Sequence, residues 1–265
     1  MKFNFKSINR FKRNLGELDA IVEFTEIAVR DFVKKANYAD SFNTYLERKS
    51  KEHSICVNSI NNNIFQTRIS HSYIVSTYQV AEDFFYQFKD EHNDFFDTKW
   101  SFDKDSEDNL LIQTIKQIST KNKALVILGE HRIQIFNYYR NVRNKFSHTR
   151  IKDDKINKEF LLLKDNISLI QTDYPKLNAP NDYNNISFDD FILFTRILKD
   201  IISRINMLLD ISEENILNYC LKNNILKKFQ GNEQRKSNAL KGYLKTNFGI
   251  ADEIADNILE SLMLH

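Results

Sequence analysis

The sequence is poor in the residues that interrupt regular secondary structure. Its 265 residues include only five glycines and two prolines, too few for the many tight turns of an all-β sandwich or barrel. Its two cysteines, Cys56 and Cys220, lie far apart and lack C-x-x-C spacing, so neither a disulfide framework nor a thiolate zinc site is indicated. These absences favour long helices joined by polar loops.

Long apolar runs are missing as well. No segment approaches the roughly 18 consecutive apolar residues of a membrane-spanning helix. The N-terminal residues show no apolar stretch followed by a small-residue cleavage site. We therefore expect a soluble, cytoplasmic protein without a membrane partner. The hydrophobic fraction of 42%, with 21 phenylalanines, is nevertheless high enough for a packed core.

Hydrophobic residues recur at helical spacing in several segments of the chain. This periodicity predicts helices over about residues 17–35, 64–88 and 123–148. Ser187 is followed three residues later by Asp190, a spacing typical of a capping box. It predicts the start of another long helix at this point.

The predicted helix over 64–88 ends in an aromatic stripe formed by Phe84, Phe85 and Phe88. Aromatic residues at helical spacing are more typical of a core than of a surface that stacks bases. The acidic stretch Asp90–Asp108 breaks the hydrophobic periodicity. It predicts a loop.

Together these elements predict an all-α fold. We expect residues 1–210 to form an up-and-down helical bundle. After Asp210 the sequence becomes more polar and is punctuated by glycines. We therefore expect residues 211–265 to form a small helical appendage to the bundle.

The charge of the chain is nearly balanced overall but uneven along the sequence. The formal net charge is +2, whereas Arg140–Lys155 carries a balance of +4 and Glu82–Asp108 a balance of −7. A phosphate polymer would be attracted to the first segment and repelled by the second. The candidate RNA-binding residues of the basic segment are Arg140, Lys145, Arg150 and Lys152.

The basic segment also contains the pattern R-N-x-x-x-H, formed by Arg143, Asn144 and His148 near the end of the longest predicted helix. This pattern resembles the Arg-x4-6-His signature of the HEPN superfamily, in the common form with Asn directly after Arg. In that family the motif lies near the end of a long helix in a compact bundle. The resemblance covers the motif and the helical plan of about residues 15–210, and it indicates no particular subfamily.

The resemblance implies an activity and a set of partners. Catalytic members of the family are ribonucleases of toxin, phage-defence and RNA-guided systems, and two copies of the motif usually meet at a dimer interface. The resemblance therefore implies a metal-independent endoribonuclease without a cofactor, which acts as a homodimer with a composite active site. It further suggests a toxin or antiviral effector that is controlled by an antitoxin or a sensor protein.

The three motif residues suit this chemistry on their own terms. Cutting RNA without a metal requires removal of the 2′-OH proton, stabilisation of the charged phosphate and protonation of the departing 5′-oxygen. The imidazole of His148 can transfer protons near neutral pH. Arg143 offers a planar set of charged donors to phosphate oxygens, and Asn144 can hold the imidazole or the phosphate by hydrogen bonds. The products would carry 2′,3′-cyclic phosphate and 5′-OH ends.

Helix geometry sets a constraint on this catalytic site. At about 100° per residue, Asn144 and His148 share one face, whereas Arg143 and His148 are about 140° apart. Either the helix frays before His148 or the Arg143 side chain reaches around it. A site assembled from two chains would relax the constraint, because one chain's His could then work with the partner's Arg.

Two other functions remain open from the sequence. The chain is alternatively a non-catalytic helical module that binds a nucleotidyltransferase-type antitoxin, or that binds RNA without cutting it. In that case His148 is only a favourable residue at a helix C-terminus. A third function is an adaptor that contacts other proteins through residues 211–265. The remaining histidines His53 and His71 are isolated, and we expect them to be surface or satisfied polar residues.

Overall fold

The computed structural model describes residues 3–39, 41–58, 61–148 and 153–263. The α-helices of these residues are, in chain order, α1 Lys6–Asn37, α2 Phe42–Glu52, α3 Asn62–Phe96, α4 Leu110–Ile118, α5 Lys121–Leu128, α6 Glu130–Ser147, α7 Asp153–Asp165, α8 Ile167–Asp173, α9 Phe188–Ile205, α10 Glu213–Lys222, α11 Glu233–Phe248 and α12 Asp252–Met263. Short 3-10 turns lie at Tyr183–Asn185, Asn206–Leu208 and Ile225–Lys228.

The prediction of an all-α fold is confirmed, because the described residues contain helices and turns but no β-strand. The likeness to a HEPN bundle stays a prediction. Within the described ranges, no helix is both long enough and apolar enough to cross a membrane.

The chain divides into two compact units, each built from separate stretches of sequence. The first unit contains the described residues within 1–13, 81–129 and 200–265, and the second contains those within 14–80 and 130–199. Helices α1, α3 and α9 are each divided between the two units, with one portion in the first and one in the second. The motif helix α6 belongs entirely to the second unit.

The C-terminal segment packs within the first unit. The backbone N–H of Asn4 donates to the carbonyl of Phe248 at 2.8 Å, and the rings of Phe3 and Phe248 stack with their centroids 5.3 Å apart. Phe95 of α3 also contacts Phe248, with a centroid separation of 5.6 Å. The predicted division of the chain at residue 210 stays a prediction.

Helix α3 continues beyond the predicted end, and the expectation that its acidic continuation forms a loop is wrong for residues up to Phe96. Phe88, His92 and Phe95 are buried at helical spacing in this continuation. Asp90 and Asp94 lie on its exposed side. In the sequence, the acidic residues of this segment obscure a helical periodicity of buried residues, which its phenylalanines and His92 maintain.

The longest predicted helix is interrupted by Gly129. This residue has φ of +82°, a conformation that glycine adopts without a steric penalty, and its N–H donates to the carbonyl of Leu125 at 3.0 Å. It ends α5 and allows the chain to start again as α6. The prediction of one helix over 123–148 is therefore wrong at this position.

The aromatic stripe of α3 is confirmed as core. The exposed fractions of Phe84, Phe85 and Phe88 are 2% or less, so these rings are not a surface on which bases stack. Burying a side chain of this size stabilises a fold by about 1.5–3 kcal/mol. Much of the first unit's stability therefore depends on α3.

The buried His92 predicts a pH dependence of stability. Burial lowers the pKa of His92 to about 4, and its Nδ1 accepts a hydrogen bond from Trp100 Nε1 at 3.1 Å. Below the ordinary histidine pKa of about 6.5, the unfolded chain therefore binds a proton that the folded chain does not. We expect the free energy of unfolding to fall by about 2–3 kcal/mol between about pH 7 and pH 4.5.

Urea denaturation at both pH values, followed by circular dichroism, measures this loss. His92→Gln keeps an acceptor for Trp100 but cannot titrate, so its stability is expected to depend less on pH. His53→Gln changes an exposed histidine and serves as the control, with the wild-type dependence. If the free energy of unfolding fell equally with pH for His92→Gln and for the wild type, His92 would not be the cause of the pH dependence.

Candidate functional site

Helix α6 carries the motif and is fixed by buried residues upstream of it. Phe136 and Tyr139 are fully buried, and Phe136 contacts the ring of Phe194 on α9 with a centroid distance of 6.3 Å. The hydroxyl of Tyr139 donates to Asp190 Oδ1 at 2.9 Å. These contacts set the position of the helix one turn before the motif begins.

Arg143 and Asn144 form a preorganised pair on α6. The Nη1 atom of Arg143 donates to Oδ1 of Asn144 at 2.9 Å, and the guanidinium lies 5.1 Å from the ring centroid of Tyr78 on α3. Both motif residues are half-buried. The guanidinium is therefore oriented by an amide oxygen and by a cation–π contact.

His148 lies directly after the last residue of α6 and is exposed. Its backbone N–H donates to the carbonyl of Asn144 at 2.8 Å, so helical geometry persists to this residue. The structure therefore does not support fraying of the helix before His148. Among the described residues, the His148 side chain makes no hydrogen bond or ion pair with Arg143 or Asn144.

The four candidate RNA-binding residues are only partly described. Lys145 is half-buried, and its Nζ atom lies 4.0 Å from the ring centroid of Tyr183. Arg140 is half-buried on α6, one turn before Asn144. Arg150 and Lys152 lie outside the described residues.

The neighbours of the motif helix were not apparent from the sequence. The ring of His71 on α3 stacks on Phe146 with a centroid distance of 5.2 Å and an interplanar angle of 7°. Arg68 lies on the same phenylalanine, with its guanidinium carbon 5.6 Å from the centroid. His71 and Arg68 are more than 70 positions from the motif, and no local spacing links them to it. Only packing between α3 and α6 brings them together.

His71 is buried, with an exposed fraction of 3%. Its Nδ1 lies 2.7 Å from the carbonyl oxygen of Thr67. Burial lowers the pKa of His71, and the nearby charges of Arg68 and Lys145 lower it further, whereas the backbone groups of Thr67 and Tyr183 oppose the shift. The imidazole is therefore neutral near pH 7. Of the two alternatives expected for this histidine, the surface position is excluded, and the ring is a buried polar group that is hydrogen-bonded through Nδ1.

The arrangement combines an oriented guanidinium with an accessible imidazole at one end of one helix. The guanidinium of Arg143 can donate to phosphate oxygens, and His148 is open to a substrate that approaches the end of α6. In the part of the chain that the structure describes, no group of three or more His, Cys, Asp or Glu residues is placed to hold a metal ion.

A scan of this chain against protein-family models, and searches of curated proteins and of solved structures, found no match. The resemblance to the HEPN superfamily therefore rests on the motif and on the helical plan.

Proposed function

We propose that this protein is a metal-independent endoribonuclease of the HEPN type, in which Arg143, Asn144 and His148 act on the phosphodiester. The observation that carries the proposal is the pairing of a fixed Arg143–Asn144 unit with an exposed His148 at the end of the same helix. His148 transfers protons to and from the reacting oxygens, and Arg143 stabilises the charge on the phosphate.

The proposed site is shared between two copies of the chain. Helical geometry up to His148 keeps this residue about 140° around the axis from Arg143, and Arg143 is held towards Tyr78 rather than around the helix. A twofold dimer, in which the ends of the two α6 helices meet, would let one copy's His148 act beside the partner's Arg143. The exposure of His148 supports such a meeting.

Cleavage of RNA in the presence of EDTA tests the proposed activity. We expect purified protein to cut a labelled RNA and to release fragments with 2′,3′-cyclic phosphate and 5′-OH ends. The 5′-OH ends should accept phosphate from a polynucleotide kinase without prior dephosphorylation. Protein carrying Arg143→Ala, purified in the same way, controls for contaminating ribonucleases.

Other outcomes of this assay support other functions. An RNA band that shifts without being cut would favour the non-catalytic binding module. Cleavage that EDTA abolishes would overturn the metal-independent mechanism. A role as a toxin or antiviral effector, and control by an antitoxin or sensor protein, are parts of the proposal that depend first on the presence of the activity.

A further inference from the structure

The second unit contains a cleft that the proposed catalytic chemistry does not use. Its volume is about 900 Å³, and it lies between α1, the first turns of α3 and the segment that precedes α9. Clefts of roughly 300–1,000 Å³ are typical of sites for small molecules. We refer to it as the α1–α3 cleft. Its lining includes five exposed residues with carboxamide side chains, Asn63, Gln66, Asn178, Asn184 and Asn185. The amide groups of Gln66 and Asn185 also donate to Asn62 and Asp182.

His71 lines this cleft and gives it a hydrogen-bond acceptor. The carbonyl of Thr67 can only accept a hydrogen bond, so the Nδ1 atom of His71 carries the proton of the neutral ring. The Nε2 atom is then the acceptor of the ring and makes no hydrogen bond of good geometry among the described residues, although a backbone group of Tyr183 also acts on the imidazole. Such an acceptor requires a donor from a ligand or a small movement of its neighbours.

Two cationic side chains lie at the side of the cleft nearest to α6. His71 lies between two aromatic rings, Phe146 at 5.2 Å and Tyr183 at 4.5 Å. Arg68 lies on the first ring and Lys145 on the second. Phe146 and Lys145 are the residues that immediately precede Ser147 and His148. This side of the cleft therefore adjoins the end of the motif helix.

The two acidic residues of the cleft have hydrogen-bond partners other than Arg68 and Lys145. Glu26 accepts a hydrogen bond from Arg30 Nε at 2.7 Å, which balances the charge of that arginine. Asp189 accepts from the backbone N–H of Asn178 at 2.8 Å. Among the lining residues the charges of Glu26 and Asp189 balance those of Arg30 and Arg68. A phosphate would therefore be attracted locally, at Arg68 and at the neighbouring Lys145, rather than to the cleft as a whole.

We propose that the α1–α3 cleft binds one nucleotide of the RNA strand that the site cuts. The base lies among the carboxamides, whose donors and acceptors match the edges of bases, and it donates a hydrogen bond to His71 Nε2. Its phosphate lies at Arg68 and Lys145. This assignment rests on the proposed function, because it takes RNA as the occupant, and it makes the cleft a determinant of sequence preference.

The strand would run from the cleft, past Lys145, to the end of α6. One bound nucleotide would then fix the position of the next phosphodiester relative to His148, and such positioning contributes to catalysis by limiting the motion of the reacting groups. A free mononucleotide has the same chemistry as a nucleotide within RNA. Binding experiments with mononucleotides and with oligoribonucleotides therefore distinguish a free nucleotide from RNA as the occupant of the cleft.

Calorimetric titration of the full chain tests the proposal. The ligands are the four nucleoside 5′-monophosphates, a set of 2′-O-methyl oligoribonucleotides that cannot be cut, and inorganic phosphate. We expect the oligoribonucleotides to bind with a preference for one base at one position. Arg68→Ala should weaken this binding at least about tenfold, because it removes a charge-assisted contact to phosphate. Arg68 is exposed on α3, and alanine is favourable within a helix, so the variant should fold.

Arg196→Ala is the matched control, because Arg196 is exposed on α9 of the same unit and is not part of the cleft. It should bind like the wild type. Equal weakening by both arginine variants would overturn the proposal, as would equal affinity for all bases or full competition by inorganic phosphate. Binding of mononucleotides alone would overturn the assignment to RNA.

The outcomes separate this inference from the proposed function. RNA cleavage in EDTA without base-selective, Arg68-dependent binding would overturn the cleft assignment and leave the nuclease standing. Base-selective binding that depends on Arg68, without any cleavage, would support the cleft and refute the nuclease.

Discussion

Replacing His148 by alanine is expected to lower the rate of RNA cleavage by about 10²–10⁴-fold, the range that a general acid–base residue contributes. The change removes the group that transfers protons at both reacting oxygens. Because His148 is exposed beyond the end of α6, the variant should keep the wild-type helical spectrum and melting temperature. Initial rates of cleavage of a labelled RNA by the wild type and by His148→Ala, measured with excess enzyme, test this difference.

His53→Ala is the matched control for this experiment. His53 is also exposed and also directly follows a helix, at the end of α2, but it lies outside the motif. It should cut RNA at the wild-type rate. A His148→Ala protein that is as active as this control would remove His148 from the site.

Mixing two inactive variants tests whether the site is composite. Arg143→Ala should lose about 10²–10³-fold in rate, because a charge-stabilising donor is removed. When Arg143→Ala and His148→Ala subunits exchange freely, half of the dimers are mixed and each keeps one intact site, so about a quarter of the wild-type activity should return. No recovery after verified subunit exchange would argue that both groups act from the same chain, or that neither acts.

The sequence predicted the class of fold and the helix that carries the motif, because both depend on local patterns. Hydrophobic periodicity is a property of neighbouring residues, and it located α1, α3 and α6, whereas a capping-box spacing located the start of α9. It failed at Gly129, where one backbone conformation divides a continuous pattern, and after Phe88, where acidic residues conceal a buried stripe.

The surroundings of the site depend on packing between distant segments and could not be predicted in this way. Tyr78 orients Arg143, and His71 stacks on Phe146, yet both come from α3. Tyr183 comes from the segment that precedes α9, and no local spacing links it to the motif. The motif residues were chosen by their chemistry and spacing, but the direction in which Arg143 points follows from its contacts with α3.

The spacing of Ser187 and Asp190 predicted only one of the contacts that Asp190 makes. Its spacing from Ser187 predicted the start of α9, and Asp190 Oδ2 does accept from the backbone N–H of Ser187 at 2.9 Å, one half of a capping box. The same carboxylate also accepts from the backbone N–H and the side-chain amide of Asn181, both at 2.8 Å. With the hydroxyl of Tyr139 at 2.9 Å, Asp190 joins α6, α9 and the wall of the α1–α3 cleft.

Replacing Asp190 by alanine is therefore expected to lower the free energy of unfolding by about 3–5 kcal/mol. Asp190 is completely buried, and burial raises its pKa while the donors of Asn181, Ser187 and Tyr139 oppose the shift. Alanine would leave these buried donors without an acceptor, which costs more than the loss of one exposed hydrogen bond. Urea denaturation at neutral pH measures the difference.

The neighbouring Asp189→Ala variant is the comparison for this prediction. Asp189 is half-buried and accepts from the backbone N–H of Asn178, so its removal should cost about 1 kcal/mol. Asp190→Asn keeps one acceptor oxygen and should fall between the two. If Asp190→Ala were no less stable than Asp189→Ala, the carboxylate would not hold α6 to the cleft wall.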